Sequence, residues 1–338
     1  MPVFLVMFYA GKDIVQRLKD NIVLVCVDEA HASLPSQWGH KDMREDMNID
    51  PSYLRAQVMT STKAPTLAMT ASAKVKGDKK HKSEVDQIKS MCAIQHSETS
   101  VITISPILHN HIYVSLRSPP PISGFYGPET QDSPTTKIGL VHLLWRIYLK
   151  YFVTEIKANR TPKRAIIYVK KMNDLVDLDE FLTMELEHLD VVRNPNTCPW
   201  VVSSSASGRI TTEKIRERAG EEDSSIHLFI TTSVMLFGLN LKDVSMVILL
   251  SPFHSLNSIL QAGGRAGRRQ GNGRRTKSVI YTLYNGTDLR PNTPIEKSVR
   301  EFCTSTSCLK QKMNFYFSNS SSIPRSDTWC CSVCSFPK

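Results

Sequence analysis

Short apolar runs without internal alternation recur along this chain of 338 residues. Strands that are covered by helices on both faces have this continuous pattern, whereas strands with one wet face alternate apolar and polar residues. Because helical segments separate several of the runs, the sequence predicts an α/β fold built on parallel sheets. The predicted strands are residues 22–27, 66–69, 112–116, 165–169, 227–231, 244–250 and 278–283. The predicted helices are residues 138–153 and 174–187, with a third that begins at 258–263.

One stretch rich in Pro, Gly and Ser interrupts this pattern and is typical of a linker. The length of the chain suggests about two domains. We therefore predict a first domain at residues 1–117, a linker at 118–137, a second domain at 138–290 and a short Cys-rich tail at 291–338.

Charge and cysteine content limit the partners of the chain. The formal net charge is +10, which favours a polyanionic partner such as nucleic acid. No run approaches the ~18 apolar residues that a membrane span needs, so we expect no membrane partner. The tail contains Cys303, Cys308, Cys330, Cys331 and Cys334. In a reducing compartment such a cluster indicates bound metal rather than disulfides.

Two adjacent carboxylates, Asp28 and Glu29, end the first apolar run. Open α/β sheets place their chemistry at the carboxyl ends of the strands. One carboxylate there can hold Mg²⁺ on a nucleotide phosphate while the other orients the attacking water. The alternative is a helix N-terminus, where acidic residues complement the helix dipole. His31, taken alone, is more typical of a packed histidine.

A glycine- and arginine-rich segment follows the predicted helix at 258–263. Gln261 precedes two arginines, Arg265 and Arg268, with glycines between them. Arginine side chains bind phosphate oxygens in pairs of hydrogen bonds and can stabilise the charge on a transferred γ-phosphoryl group. The spacing favours this role over the alternative, a solvated basic loop that touches nucleic-acid phosphates.

Four motifs occur in the order seen in superfamily 2 helicases. They are Asp28-Glu29-Ala30-His31, Ser36-Gln37-Trp38-Gly39-His40, Thr70-Ala71-Ser72-Ala73 and the segment from Gln261 to Arg268. The second motif, so soon after the first, resembles the RecQ helicases specifically. The chain departs from that family at Ala32, where the family has Cys, and in the residues after His40. It therefore resembles a diverged member of the family.

The resemblance implies two RecA-like lobes, the first incomplete, that form an ATP- and Mg²⁺-dependent 3′–5′ DNA helicase. Such an enzyme acts on single-stranded and partly duplex DNA, in recombination and repair, in the nucleus. The implied catalytic residues are Asp28 for Mg²⁺, Glu29 for the water, Gln261 for the nucleotide or that water, and Arg265 and Arg268 as arginine fingers. The implied nucleotide site also includes His31, Thr70, Ser72, Gly238 and Asn240. The implied DNA contacts are Trp38, His40, Thr231 and Thr232.

The resemblance also implies a small zinc-binding module after the second lobe. Cys308 begins a predicted helix, and Cys331 and Cys334 form a CxxC pair, a spacing that suits tetrahedral zinc. The fourth ligand is open between Cys330, which we place first, and Cys303. The alternative is an unliganded cysteine tail that is prone to oxidation.

The sequence contains no GxxxxGK[ST] phosphate loop. In the family this loop lies well upstream of the DEAH motif, so we expect an N-terminally truncated chain. The second functional hypothesis is accordingly a catalytically inactive, basic, zinc-containing nucleic-acid-binding remnant. An RNA helicase of the DEAH group is a third hypothesis, against which the motif at 36–40 and the cysteine tail argue.

Overall fold

The structure is a computed structural model. It describes residues 25–27, 66–70, 83–92, 94, 101, 107–118, 134–170, 172–189, 198–203, 225–232, 241–268, 276–318 and 330–335. The chain divides into two compact units, Met1–Pro106 with Tyr316–Asn319, and Ile107–Phe315 with Ser320–Lys338.

The described part of the first unit contains a pair of parallel strands and one helix. Strands β1 (Val25–Val27) and β2 (Thr66–Ala68) pair with Cys26 opposite Leu67. Helix α1 (Glu84–Met91) begins after Ser83, whose hydroxyl accepts a hydrogen bond from the Asp86 amide at 3.0 Å. This side-chain cap satisfies one of the amides that a helix start leaves without an intrahelical partner.

A parallel sheet of six strands organises the second unit. Its strands along the chain are β3 (His111–Arg117), β4 (Arg164–Val169), β5 (Trp200–Ser203), β6 (Leu228–Thr231), β7 (Val244–Leu250) and β8 (Ser278–Tyr284). Their spatial order is β3-β8-β7-β4-β6-β5. All residues of β4 and β6 are buried, which explains why these strands are continuous apolar runs in the sequence.

Described helices lie between several of these strands, and three more follow β8. They are α2 (Pro134–Leu144), a π-helical stretch (Trp145–Leu149), α3 (Lys150–Lys157), α4 (Met172–Leu186), α5 (Leu256–Gly263), α6 (Lys297–Cys303), α7 (Leu309–Ser318) and α8 (Ser332–Ser335). The segment from α2 to α3 forms one face of the core, where Leu144, Leu149 and Phe152 are fully buried. Tyr148, in the π-helical stretch, donates a hydrogen bond from its hydroxyl to the Lys163 carbonyl at 2.7 Å, just before β4. Of the helices that the structure describes, none combines the length and apolar composition needed to cross a bilayer.

The strand predicted at 112–116 lies in a different place from the one expected. We assigned it to the first domain because it precedes the linker, but β3 pairs in parallel with β8 along its whole length, from His111 opposite Ser278 to Arg117 opposite Tyr284. The boundary between the compact units accordingly falls between residues 106 and 107, before this strand. Pairing between strands that lie so far apart in the sequence leaves no local signal in either strand.

Two further boundaries differ from the sequence prediction. Helix α2 begins at Pro134, inside the predicted linker, and proline is well suited to the first position of a helix because its missing N–H has no intrahelical partner there. Strand β5 was not predicted, since its four residues are too short a run to stand out. Strands β1, β2, β4, β6, β7 and β8 and the helices at 150–157, 172–186 and 256–263 lie where the apolar runs and periodic segments placed them, whereas helices α1, α6 and α8 were not predicted.

Candidate functional site

Helix α5 places the arginine-rich segment against the sheet. The Ser255 hydroxyl accepts a hydrogen bond from the Ser258 amide at 3.2 Å and caps the start of the helix. At the other end, a Cβ on Gly263 would lie 3.1 Å from Ile280 of β8, so the helix packs directly on the strand. Gln261 lies in the last turn of α5 and is half-buried.

Residues 264–268, which we call the arginine loop, leave α5 through a tight glycine turn. Gly267 has a φ of 61°, a left-handed conformation that side chains other than glycine rarely adopt. Its amide donates to the carbonyl of Val244, the first residue of β7, at 2.9 Å. A Cβ at this position would collide with the Asn110 side chain and lie 2.6 Å from the Ser278 hydroxyl. The loop is therefore fixed against the amino-terminal ends of β7 and β8.

The two arginines of the loop lie in a half-buried environment and influence each other. Arg268 donates from Nε to the Gly264 carbonyl at 3.1 Å. Burial, and then the neighbouring positive charge of Arg265, lower the pKa of Arg268 from its ordinary value. Burial raises the pKa of Tyr168 on β4, and the two guanidinium groups oppose that rise. Two like charges on one turn are favourable where an anion such as a phosphate joins them.

Asn110 and His111, at the start of β3, hold the backbone of the arginine loop. Asn110 donates from Nδ2 to the carbonyls of Gly267 at 2.9 Å and Thr276 at 2.6 Å. The His111 Nε2 lies 3.1 Å from the Ala266 carbonyl. Sequence analysis missed Asn110 and His111, and nothing in their local pattern distinguishes them, because their partners lie more than 150 residues away along the chain.

Four cysteines of the tail form a compact cluster. The sulfurs of Cys308, Cys330, Cys331 and Cys334 all lie within 4.8 Å of one another. The Cys308 sulfur is 3.6 Å from that of Cys330 and 4.0 Å from that of Cys331. A tetrahedral zinc ion with Zn–S bonds of about 2.3 Å places its sulfurs roughly 3.8 Å apart, so these four side chains fit zinc.

Backbone amides and the electrostatics of the cluster also suit a metal. The amides of Leu309 and Gln311 donate to the sulfurs of Cys331 and Cys308, each at 3.4 Å. The hydrogen bond with Cys308 is the main reason that the pKa of Cys331 falls to about 4, and the pKa of Cys308 rises in return. A lowered thiol pKa favours the thiolate, which is the form that binds metal.

Cys303, the other candidate for the fourth ligand, lies outside this cluster. It ends α6, is buried, and its carbonyl accepts a hydrogen bond from the Ser115 hydroxyl at 3.0 Å. Burial raises the pKa of its thiol to about 12, so this group stays protonated. Among the described cysteines the geometry favours Cys330 over Cys303.

The cysteine cluster covers the outer edge of β3, the last strand on that side of the sheet. The Tyr113 amide donates to the Cys330 carbonyl at 3.3 Å, and Cys331 forms a parallel bridge with Tyr113. The Ser115 amide donates to the Ser332 hydroxyl at 3.3 Å. Covering an edge strand removes a surface that otherwise pairs with other chains.

The remaining predicted site residues are dispersed. Thr70 follows β2 in the first unit and is half-buried. Thr231 ends β6 and is fully buried, and its hydroxyl donates to the Thr232 carbonyl at 3.0 Å. In register Thr231 lies opposite Tyr168, at the carboxyl end of the sheet, whereas the arginine loop is anchored at the amino end. Outside the described residues lie Asp28, Glu29, His31, Trp38, His40, Ser72, Gly238 and Asn240.

Comparison with known proteins identifies the domain that carries the arginine loop. The model of the helicase conserved C-terminal domain matches residues 147–270, from the π-helical stretch to just beyond Arg268. A search of curated proteins finds no match. Residues 147–270 therefore match a helicase C-terminal domain, and the six-stranded sheet with its flanking helices has the RecA-like fold of such a lobe.

Solved structures of similar fold include proteins bound to a nucleic acid and a nucleotide. The Mycobacterium smegmatis helicase Lhr bound to ssDNA and AMP-PNP is 15% identical, with a TM-score of 0.51, over 86% of this chain and 31% of that one. The S. cerevisiae Dbp5 bound to RNA and ADP BeF3 is 15% identical, with a TM-score of 0.48, over 82% of this chain and 57% of that one. At these identities the likeness concerns the fold, and this chain spans less than two thirds of either protein.

Proposed function

We propose that this chain is part of an ATP-dependent DNA helicase of the RecQ type that moves 3′ to 5′ on single-stranded and partly duplex DNA. Its place in recombination and repair, and in the nucleus, is part of the same proposal. The single observation that carries it is the arginine loop. Two neighbouring arginines are held on a glycine turn within the region that matches the helicase C-terminal domain.

The loop supports a role in nucleotide hydrolysis because its backbone is fixed before any ligand binds. Hydrogen bonds from Gly267 and Asn110 hold the turn on the strands beneath it. Preorganised positive charges aimed at a developing negative charge are among the largest contributions to catalysis. We assign Arg265 and Arg268 as arginine fingers for the γ-phosphate of ATP, with Gln261 beside them.

The other half of the nucleotide site is assigned from the sequence. Asp28 would hold Mg²⁺ and Glu29 would orient the attacking water, since one carboxylate for the metal and one for the water is what this chemistry requires. His31, Thr70, Ser72, Gly238 and Asn240 complete the proposed nucleotide site. ATP and Mg²⁺ are the cofactors that this chemistry uses.

DNA is the proposed polymer, with Trp38, His40, Thr231 and Thr232 as its contacts. The net charge of +10 supports a nucleic-acid partner of either kind, and the helicases of similar fold were solved with ssDNA or with RNA. The motif at 36–40 and the cysteine cluster favour DNA, as in the RecQ family. Zinc bound by Cys308, Cys330, Cys331 and Cys334 is the proposed structural metal.

DNA-stimulated ATP hydrolysis by the purified chain tests this proposal. Arg265→Ala should lower kcat by about a thousandfold, the lower range for an arginine finger, and Glu29→Gln should abolish stimulation. Arg160→Ala is the matched control, because Arg160 makes only an exposed ion pair with Glu155 at 2.7 Å in the described structure. Parallel assays with single-stranded RNA decide the choice of polymer.

The second candidate function is nucleic-acid binding without turnover, which the lack of a GxxxxGK[ST] pattern in the sequence favours. It predicts no stimulated hydrolysis, together with single-strand binding whose affinity falls steeply with salt. That combination of results would overturn the assignment of an ATPase to this chain. Stimulated hydrolysis that Glu29→Gln abolishes would instead exclude the second candidate.

A further inference from the structure

Lys310 connects the cysteine cluster with the segment that supports the arginine loop. This lysine lies in the first turn of α7, and its side chain is only 2% exposed. Its Nζ donates to the carbonyl of His109 at 2.8 Å and to that of His111 at 3.3 Å. A buried ammonium is costly unless it is paired and hydrogen-bonded, so these contacts need an explanation beyond the packing of α7.

On one side of Lys310, the cysteine cluster fixes the start of α7. Cys308 immediately precedes the helix, and its sulfur accepts the amide hydrogen bond of Gln311. The Leu309 amide donates to the sulfur of Cys331, one of the three cluster cysteines that follow α7 in the chain. The residues on both sides of Lys310 are thus held by sulfur atoms of the proposed zinc ligands.

On the other side, the residues that Lys310 holds are those that support the arginine loop. His109 and His111 flank Asn110, whose side chain donates to the Gly267 carbonyl. The His111 ring contacts the Ala266 carbonyl. Hydrogen bonds and the backbone of α7 therefore connect the cysteine sulfurs through Lys310 to the carbonyls of Ala266 and Gly267, which lie between the two arginines.

The position of Lys310 within its helix also argues against a purely local role. A positive charge in the first turn is unfavourable with respect to the helix dipole. The sulfurs of Cys308, Cys330 and Cys331 are close enough to interact with its charge. Four thiolates on one Zn²⁺ carry an excess of negative charge, which complements a buried ammonium beside them.

We propose that Lys310 is a positioning residue through which metal binding at the cysteine cluster fixes the arginine loop. The metal holds the first turn of α7, Lys310 holds the carbonyls of His109 and His111, and Asn110 and His111 then keep the loop on the amino ends of the strands. The effect on the loop depends only on these contacts. Its consequence for catalysis rests on the proposed function.

Hydrogen–deuterium exchange of the backbone amides, followed by mass spectrometry, tests the inference in the whole chain. In Lys310→Met, amides of residues 264–268 should exchange at least about tenfold faster than in the unmodified chain, because the buried carbonyl groups lose a charged donor. Lys312→Met is the matched control, since Lys312 lies on the same helix and donates to the exposed Glu301 carbonyl at 3.3 Å. It should leave the loop unchanged. Peptides from β4 report whether the sheet stays folded.

Removal of zinc by a chelator provides an arm that needs no substitution. It should speed exchange in the arginine loop of the unmodified chain to a similar degree, and should add little in Lys310→Met, where the connection is already broken. Lys310→Arg keeps the charge and several donors, and should preserve protection of the loop. The inference would be overturned if exchange at 264–268 stayed unchanged after Lys310→Met or after chelation while β4 remained protected. It would also be overturned if the substitution and chelation had equal effects on exchange that simply added.

Kinetics then separate this inference from the proposed function. If the chain hydrolyses ATP, Lys310→Met should lower kcat at least about fivefold while the KM for ATP changes little, since arginine fingers act mainly in the transition state. If the chain does not hydrolyse ATP, the proposed function fails. The exchange experiment still decides whether Lys310 positions the loop.

Discussion

The arginine loop and the cysteine cluster are held in place by opposite means. The arginine loop is one continuous segment, and hydrogen bonds to the starts of two parallel strands, β3 and β7, fix its backbone. The cysteine cluster joins Cys308 to residues more than twenty positions later, and the main contacts among its side chains are between sulfurs. The arginine loop should therefore keep its shape without a bound nucleotide, whereas the cysteine cluster should depend on bound metal.

The largest expected effect is the loss of metal from the cysteine cluster. Cys331→Ala removes the buried ligand that accepts the Leu309 amide, so the bound zinc, about one ion per chain in the unmodified protein, should fall close to zero. Metal content by mass spectrometry of the purified protein measures this. Cys303→Ala is the control and should retain its zinc. Zinc lost in Cys303→Ala but kept in Cys330→Ala would reverse the assignment of the fourth ligand.

Gly267→Ala should break the arginine loop while leaving the cysteine cluster loaded. The left-handed φ and the clash with the Asn110 side chain together should lower the free energy of unfolding by about 2–4 kcal/mol. Gly264→Ala is the matched control, because Gly264 has a helical φ of −63° and an added Cβ would lie 3.4 Å from its nearest neighbours. Urea denaturation measures both. Equal stabilities of the two variants would contradict the role of the turn.

Acidity should act directly on the cysteine cluster, and on the arginine loop only through the loss of metal. The pKa values of Cys308 and Cys334 lie above the ordinary value, so both thiols are protonated at neutral pH and must release a proton to bind zinc. Affinity for zinc should therefore rise by about ten- to a hundredfold per pH unit around neutrality, and metal should be released on acidification. Calorimetric titration in buffers of different ionisation enthalpy counts the released protons. A pH-independent affinity would show that the thiols are already ionised.

The smallest expected effect concerns the support behind the arginine loop. Asn110→Ala removes both hydrogen bonds from Nδ2 and leaves two carbonyls without this donor, which should cost about 1–2 kcal/mol of unfolding free energy. Asn292→Ala, at an exposed position of the same unit, should change stability by less than about 0.5 kcal/mol. Urea titrations of both variants give the comparison. A cost at Asn110 no larger than at Asn292 would mean that other contacts hold the loop.

The sequence predicted the elements of the second lobe well because their signals are local. Residues 165–169 and 244–250 are continuous apolar runs, and both became buried central strands. The segment from Gln261 to Arg268 also forms one continuous unit in the structure, because a single helix and the turn after it contain all of its residues. Each of these features depends on neighbours within about one helical turn or one strand.

Features that depend on distant partners were missed or misplaced. Strand β3 was assigned to the wrong side of the linker because its pairing with β8 spans much of the chain. The choice between Cys303 and Cys330 needed the positions of the sulfurs, which spacing alone does not give. Lys310 had one local signal, a positive charge at the start of a helix, but its buried partners could not be inferred from the sequence.

The placement of β3 has a consequence for cutting the protein into pieces. This strand precedes residues 119–133 in the chain, yet it forms the outer strand beside β8, and the cysteine residues cover it. A fragment that begins at residue 138 would lack that strand and expose the side of β8. If a protease site were inserted within 119–133 and cut, the N-terminal piece that carries β3 should stay bound to the remainder. If the chain is expressed as two separate pieces divided within 119–133, the two pieces should assemble into one folded protein.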